Sequence, residues 1–209
     1  MVVNARGRAE SANPTTQARI LEAAERVFAT DGYHGATVEA VAQAAGISVA
    51  TFYRHVTNID ELLYALAEDY QAHVERHVTA LFSAPAGPAG DGARLQAARD
   101  YIASYRRYEG VARVWGAESV RDEALRQLAA ASARRVETEL RRSLGREPGR
   151  RDTRVHAAHL VLIGLVERLP YQLAVPFEND VLSGGDERLA EVLSAFVAAT
   201  VAQLAASSG

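Results

Sequence analysis

Helical periodicity, interrupted mainly at glycine and proline, is the feature that most constrains the fold of this chain. Apolar residues recur at the three- and four-residue spacing of an α-helix, and no segment alternates with period two long enough to predict a strand. Helices are predicted at roughly 15–31, 38–44, 49–54, 58–81, 92–108, 111–119, 121–144, 151–173 and 186–206. The pattern therefore predicts an all-α protein.

The second and third predicted helices are short and lie close together. Thr37 and Ser48 stand where N-cap residues are expected, immediately before 38–44 and 49–54. A turn centred on Gly46 joins the two helices. Two short helices joined by a glycine turn are typical of a helix-turn-helix.

Spaced residues over about 15–63 carry the most specific signal in the chain. They are Thr16-Gln17-Ala18-Arg19-Ile20-Leu21-Glu22-Ala23-Ala24, Phe28, Asp31-Gly32-Tyr33, Ala36-Thr37-Val38, Val41-Ala42, Ala45-Gly46-Ile47-Ser48 and Thr51-Phe52-Tyr53-Arg54-His55. This run resembles the DNA-binding domain of TetR-family transcriptional regulators. The resemblance implies a three-helix DNA-binding domain at 15–62 and a larger helical domain for effector binding and dimerisation at 63–209. The polar residues 1–14 before them are expected to form a flexible arm.

Eight residues around the two short helices are the predicted DNA contacts. Small residues at the start of the recognition helix can approach base edges, where Thr and Ala favour the thymine methyl group. The resemblance implies phosphate contacts for the two N-cap residues and for the Tyr and His that end the run. The predicted DNA-binding residues are Thr37, Ser48, Val49, Ala50, Thr51, Tyr53, Arg54 and His55.

The charge of this region departs from the family pattern. Family members usually carry a lysine at the start of the long fourth helix, whereas this chain has Ile59 followed by Asp60 and Glu61. Residues 1–62 contain five arginines and seven acidic residues. We therefore expect weak non-specific DNA binding and a modest dependence on salt. The alternative hypothesis is a helical ligand-binding or protein-interaction dimer with weak or no DNA binding.

The larger domain contains aromatic residues at helical spacing. Because family members typically hold a small-molecule pocket in this domain, the aromatic rows are candidate contacts for an apolar or aromatic effector. An ordinary hydrophobic core would show the same spacing. The predicted effector-binding residues are Tyr70, His73, Tyr101, Tyr105, Tyr108 and Trp115.

The last two predicted helices carry wide apolar stripes. Their width exceeds what packing inside one small domain requires, so we expect these helices to form a homodimer. The predicted interface residues are Val155, His159, Leu162, Ile163, Val166, Leu189, Leu193, Phe196, Val197 and Thr200.

Signals for catalysis and for metal binding are weak. The chain has no cysteine, no Gly-x-Ser-x-Gly and no His-Glu-x-x-His. The Gly-rich stretch 87–92 has no strand before it and is predicted to be a flexible connector. His73 and His77, and His156 and His159, have metal-ligand spacing without an obvious third ligand, so packed or interfacial histidines are favoured. We expect no enzyme activity, no metal and no cofactor.

The two ends of the chain indicate a cytoplasmic protein that does not enter a membrane. The first fourteen residues lack the apolar core of a secretory signal, and 192–209 has the apolar spacing of an amphipathic helix. The resemblance to TetR-family regulators implies a ligand-responsive transcriptional regulator. We expect it to be a repressor that binds a palindromic operator in double-stranded DNA as a homodimer and is released by a small-molecule effector.

Overall fold

The computed structural model describes residues 15–85, 87–146, 152–174 and 185–206. Within these ranges the chain forms nine α-helices and no strand, which confirms the all-α prediction. The helices are α1 (Thr16–Asp31), α2 (Val38–Ala45), α3 (Val49–Tyr53), α4 (Ile59–Ser83), α5 (Pro88–Arg107), α6 (Glu109–Glu118), α7 (Glu123–Ser143), α8 (Thr153–Ala174) and α9 (Gly185–Ala206). The predicted arm at 1–14, with its two arginines, lies outside the described residues.

The chain folds into two compact units. Unit 1 contains the described residues up to Gln71 together with Tyr108–Leu128. Unit 2 contains Ala72–Arg107 and the described residues from Ala129 onward. Unit 1 therefore includes α6 as well as the three N-terminal helices, a grouping that the sequence pattern did not predict.

Helix α1 is the centre of unit 1. The Thr15 side chain accepts a hydrogen bond from the Ala18 N–H at 3.2 Å, so this threonine caps the start of the helix. Its apolar stripe is buried, as the periodicity predicts, and packs against α2 and α6. The buried residues of α1 are Ala18, Ile20, Leu21, Ala23, Ala24, Val27 and Phe28.

Side-chain hydrogen bonds join distant parts of unit 1. His34, after α1, lies 3.0 Å from the buried Glu118 carboxylate at the end of α6. The Tyr64 hydroxyl of α4 donates to Asp122 at 3.0 Å, and Asp122 also accepts the Leu125 N–H at the start of α7. These hydrogen bonds lower the pKa of Asp122 and raise that of Tyr64, because the carboxylate is stabilised and the phenol is held in its protonated form.

The core of unit 2 is formed by α5, α8, α9 and parts of α4 and α7. Helix α5 packs along α9, and α8 also contacts α9. The large apolar side chains of this core are Val78, Leu81, Phe82, Tyr101, Ile102, Val136, Leu140, Val155, Leu162, Val166, Leu193, Val197, Val201 and Leu204. Burial of this apolar surface is the main stabilising contribution in unit 2.

The connection between α4 and α5 differs from the predicted flexible connector at 87–92. Helix α5 begins at Pro88, where the fixed φ of proline suits the first helical position, and Gly87 precedes it with φ 93°. The buried Arg94 side chain donates to the carbonyl oxygens of Leu81 (3.1 Å) and Ala84 (2.6 Å). Arg94 thus satisfies carbonyls at the end of α4 that the helix itself cannot pair. The prediction of a connector was wrong because glycine content alone does not reveal this long-range hydrogen bonding.

Helix α9 is long and apolar enough, by those two criteria alone, to cross a membrane. Its buried residues include Leu193, Val197, Val201 and Leu204, which belong to the core of unit 2. A core helix passes the same two criteria, and the packing against α5 is what a core helix shows.

Candidate nucleic-acid interface

Residues 37–55 form a helix-turn-helix, which we call the HTH segment. Gly46 ends α2 in the left-handed conformation with φ 65° and ψ 40°. The N–H groups of Gly46 and Ile47 donate to the carbonyls of Gln43 and Ala42, both at 3.0 Å. A residue with a side chain is strained at this φ, so glycine is the residue type that this turn favours.

Two arginines of α1 hold the turn of the HTH segment in place. The Arg19 guanidinium donates to the carbonyl oxygens of Ala45 and Gly46, and that of Arg26 donates to the Ala44 carbonyl at 3.0 Å. These are the carbonyls that the end of α2 leaves unpaired. The sequence-based prediction did not include this role of the two arginines. Their separation of seven residues places them on one face of α1, and this spacing could have indicated a shared contact.

The recognition helix α3 is held by one buried aromatic side chain. Phe52 is fully buried, whereas the adjacent Tyr53 is 58% exposed. Ala50 and Arg54 are exposed, and Val49, Thr51 and His55 are half-buried. All eight predicted DNA-binding residues are therefore at least partly open to solvent, including the exposed caps Thr37 and Ser48. Their contacts with DNA stay predictions.

Hydrogen bonds order the polar side chains of the HTH segment. Thr37 Oγ1 accepts the Ala40 N–H at 3.1 Å, which leaves the Thr37 O–H available to donate to a phosphate oxygen. Ser48 Oγ accepts the Thr51 N–H at 3.1 Å and lies 2.9 Å from Thr51 Oγ1. Arg54 Nη2 donates weakly to Thr51 Oγ1 at 3.4 Å. The start of α3 is thus ordered before any ligand binds.

The acidic residues at the start of α4 have structural partners. Glu61 accepts the Thr57 N–H at 2.7 Å, and the Asn58 side chain accepts the Glu61 N–H at 2.8 Å. Together they cap α4. Asp60 accepts a hydrogen bond from the Tyr33 hydroxyl, and burial together with this bond raises the pKa of Tyr33. The residues that replace the expected lysine therefore stabilise unit 1, and Arg54 is the one arginine within the HTH segment.

The predicted effector-binding residues are divided between the two units. In unit 1, the buried Tyr70 ring lies 6.0 Å from that of Tyr108 and 6.3 Å from that of Trp115, centroid to centroid. In unit 2, Tyr101 and Tyr105 are buried, and the Tyr101 hydroxyl donates to the Val166 carbonyl at 2.5 Å. Five of the six side chains are thus covered by the protein's own atoms.

The histidine pairs occupy different environments. The rings of His73 and His77 lie 5.9 Å apart, and both residues are half-buried. His156 is exposed and lies 3.1 Å from the Glu137 carboxylate, whereas His159 is buried. Among the residues that the structure describes, no group of three or more His, Asp or Glu side chains could hold a metal ion.

Most of the predicted dimer residues lie in the core of unit 2, and for these the prediction was wrong. The fully or almost fully buried ones, which have no surface to offer a partner, are Val155, His159, Leu162, Val166, Leu193 and Val197. Ile163, Leu189 and Thr200 are half-buried, and Phe196 is 48% exposed. The stripes are wide because α8 and α9 each carry exposed apolar residues as well as buried ones. We call the exposed set the apolar face; it consists of Leu160, Val161, Leu165, Val192 and Phe196.

The part of the chain that contains the HTH segment is similar to bacterial regulators. Residues 20–66 match the family described as bacterial regulatory proteins, tetR family. The HTH-type transcriptional regulator UidR of Escherichia coli strain K12 is 35% identical over 51 residues, which are 24% of this chain and 26% of UidR. The chain thus matches about a quarter of the length of this curated relative.

Solved structures resemble nearly the whole chain. A tetR-family regulatory protein from Rhodococcus RHA1 is 22% identical with a TM-score of 0.65, covering 90% of this chain and 98% of that one. The fatty acid degradation regulator FadR from Bacillus halodurans is 15% identical with a TM-score of 0.60, covering 93% and 97%. The multidrug binding protein EbrR, solved with imidazole, is 24% identical with a TM-score of 0.57, covering 88% and 95%. At these identities the similarity establishes the fold.

Proposed function

We propose that this chain is a TetR-family transcriptional repressor that binds a palindromic operator as a homodimer and is released by a small-molecule effector. Such a protein acts in the cytoplasm, where the DNA is. The observation that carries the proposal is the exposed face of α3, where Ala50, Tyr53 and Arg54 face solvent while Phe52 anchors the helix.

The HTH segment has the properties that base recognition requires. A recognition helix that is already folded can enter the major groove with no loss of conformational entropy for folding it. The caps at Thr37 and Ser48 stabilise both short helices in the free protein. Small side chains at Val49 and Ala50 permit close approach to the groove floor. Tyr53 and His55 supply hydrogen-bonding groups suited to phosphates.

DNA binding is expected to depend on contacts with the bases more than on contacts with the phosphate charges. Arg19 and Arg26 already bond to backbone carbonyls, and Asp60 and Glu61 add negative charge at the start of α4. Since few phosphates are neutralised, non-specific affinity is low and the salt dependence of binding is shallow.

The apolar face of α8 and α9 supports the homodimer. Five large apolar side chains in the described part of these helices remain between 39% and 62% exposed. An exposed apolar face is costly in water unless a partner covers it. A second copy of the same helices would bury it symmetrically, which is the arrangement that two operator half-sites demand.

Effector release requires unit 2 to influence the HTH segment. The backbone passes between the units within α4, between α5 and α6, and within α7. A ligand bound in unit 2 would act through these connections, tilting α4 and changing the spacing of the two HTH segments. Coupling of about 1–3 kcal/mol would lower operator affinity some 5- to 150-fold. An apolar or aromatic effector at the predicted tyrosines has weaker support, because those side chains would first have to move apart.

The test is selection of bound duplexes from a random DNA library with the purified chain at low salt. The proposal predicts an enriched inverted repeat with half-sites about one helical turn apart. A reporter under that sequence then separates repression from activation. If ligand-stripped protein enriches nothing, the alternative of a ligand-binding or protein-interaction dimer replaces the proposal.

Point variants assign the DNA contact to α3. Arg54→Gln should weaken binding to the selected duplex and reduce the slope of its salt dependence by about one phosphate contact. Arg121→Gln is the matched control, because this arginine is also exposed in unit 1 but lies outside the HTH segment. Equal effects of the two substitutions would contradict the assignment.

A further inference from the structure

A charged cleft of about 510 Å³ lies between α4 and α7 within unit 2. Glu75 and Thr79 line it from α4, and Arg134, Arg135, Thr138 and Arg142 line it from α7. Its volume is in the range of small-molecule sites. None of the predicted aromatic residues lines this cleft.

The Glu75 carboxylate at this cleft is fully engaged by the protein. Arg135 Nε donates to its two oxygens at 2.8 and 2.9 Å, and Arg135 Nη2 lies 2.7 Å from Oε2. The Ser132 hydroxyl adds a hydrogen bond at 3.2 Å. The negative charge of Glu75 is therefore balanced inside the chain, and this pair joins α4 to α7.

Positive charge remains on the α7 side. Arg142 pairs with Glu139, which also lines the cleft. Arg134 is exposed, and its guanidinium has no hydrogen-bond or ion-pair partner among the described residues. Arg134, Thr138 and Arg142 follow one another at four-residue spacing, so their side chains share one face of the helix. The three arginines exceed the two glutamates of the lining by one charge.

We propose that this cleft binds a small molecule carrying a carboxylate or phosphate group, with Arg134 as its main charged contact. A planar guanidinium presents paired N–H groups that match the two oxygens of either anion. The surplus positive charge and the charged lining favour such a ligand over an apolar one. This inference rests on the proposed function in one respect: it identifies the bound anion as the effector that releases the DNA.

The experiment is calorimetric titration of citrate, and separately of inorganic phosphate, into the full-length protein without DNA at low chloride concentration. We expect saturable binding at one site per chain. Arg134→Gln should weaken that binding about tenfold, the loss typical of one charged hydrogen bond. Glu75→Gln should strengthen it, since it removes a negative charge and frees Arg135.

Arg154→Gln is the matched control, because Arg154 is an exposed arginine of unit 2 outside the cleft. Circular dichroism of each variant establishes that the helices are retained. Absence of binding by both anions, or equal weakening by Arg134→Gln and Arg154→Gln, would overturn the proposal. Because no DNA is present, failure of duplex selection leaves this result standing, and failure of anion binding leaves the duplex result standing.

Discussion

Gly110 of α6 lies directly against the backbone of Glu25 in α1. A Cβ at position 110 would stand 2.7 Å from the Glu25 carbonyl oxygen and 2.9 Å from the Cβ of Ala29. The neighbouring Arg113 donates to the Ala29 carbonyl, so the two helices are joined by a close backbone approach and a hydrogen bond. The contact fixes α6 on the helix that also holds the turn of the HTH segment.

Gly110→Ala should destabilise unit 1 because the added methyl group overlaps a backbone atom that cannot rotate away. We expect a loss of about 1–3 kcal/mol in the free energy of unfolding, measured by urea denaturation. Gly116→Ala on the same helix is the control, since nothing lies within 4 Å of its Cβ position. That substitution should be neutral or stabilising, because alanine favours the helix over glycine. Similar losses for both would show that α6 does not approach α1 this closely.

Arg94→Met should destabilise unit 2 although it replaces a charged residue with an apolar one in a buried position. The carbonyls of Leu81 and Ala84 would lose their donor. One unsatisfied buried polar group costs about 1–3 kcal/mol, so the variant should unfold at clearly lower urea concentration. Arg154→Met, at an exposed position, should change the midpoint little. An unchanged midpoint for Arg94→Met would mean that these carbonyls find other donors.

The stability of the protein should fall as the pH drops below about 6.5, in part because of His159. This side chain is 2% exposed and its Nδ1 has no hydrogen-bond partner in the described part of the chain. Burial lowers the pKa of His159, an effect that Glu137 opposes and that His156 and Arg141 reinforce. The unfolded chain therefore binds a proton at higher pH than the folded chain, so acid favours unfolding.

His159→Gln tests this assignment. Urea midpoints measured between pH 8 and pH 5 should depend less steeply on pH in the variant than in the natural chain. Some dependence should remain, because burial also lowers the pKa of His77. Parallel pH profiles for the two proteins would exclude His159 as a source of the pH dependence of stability.

Val161→Arg should convert the proposed dimer to a monomer without unfolding it. Val161 belongs to the apolar face and is 62% exposed, so a charge there is tolerated by the single chain and opposes association. Phe196→Arg should act in the same way. Leu162→Arg is the contrast, because Leu162 is fully buried and an arginine there should unfold the chain. Sedimentation gives the mass and circular dichroism the helix content; an unchanged dimer mass for both surface variants would contradict the interface.

Local sequence determined the helices, their caps and the HTH segment. Thr37 and Ser48 bond to N–H groups three residues away, and Gly46 adopts the left-handed φ that its turn requires. The apolar periodicity of α1 likewise matches the stripe of residues that is buried in the structure. These features depend on residues within one or two helical turns, so the sequence contains all the information that they need.

The tertiary structure decided which apolar face is covered and where charged side chains find partners. Leu162 and Val161 are adjacent and both apolar, yet Leu162 is buried and Val161 is exposed. The reason is that α8 packs against α9 with only one of its two apolar sides. Arg19 bonds to a carbonyl 26 residues away, and Arg135 to a carboxylate 60 residues away. Such pairings depend on how separate helices meet in space, which neither periodicity nor capping specifies.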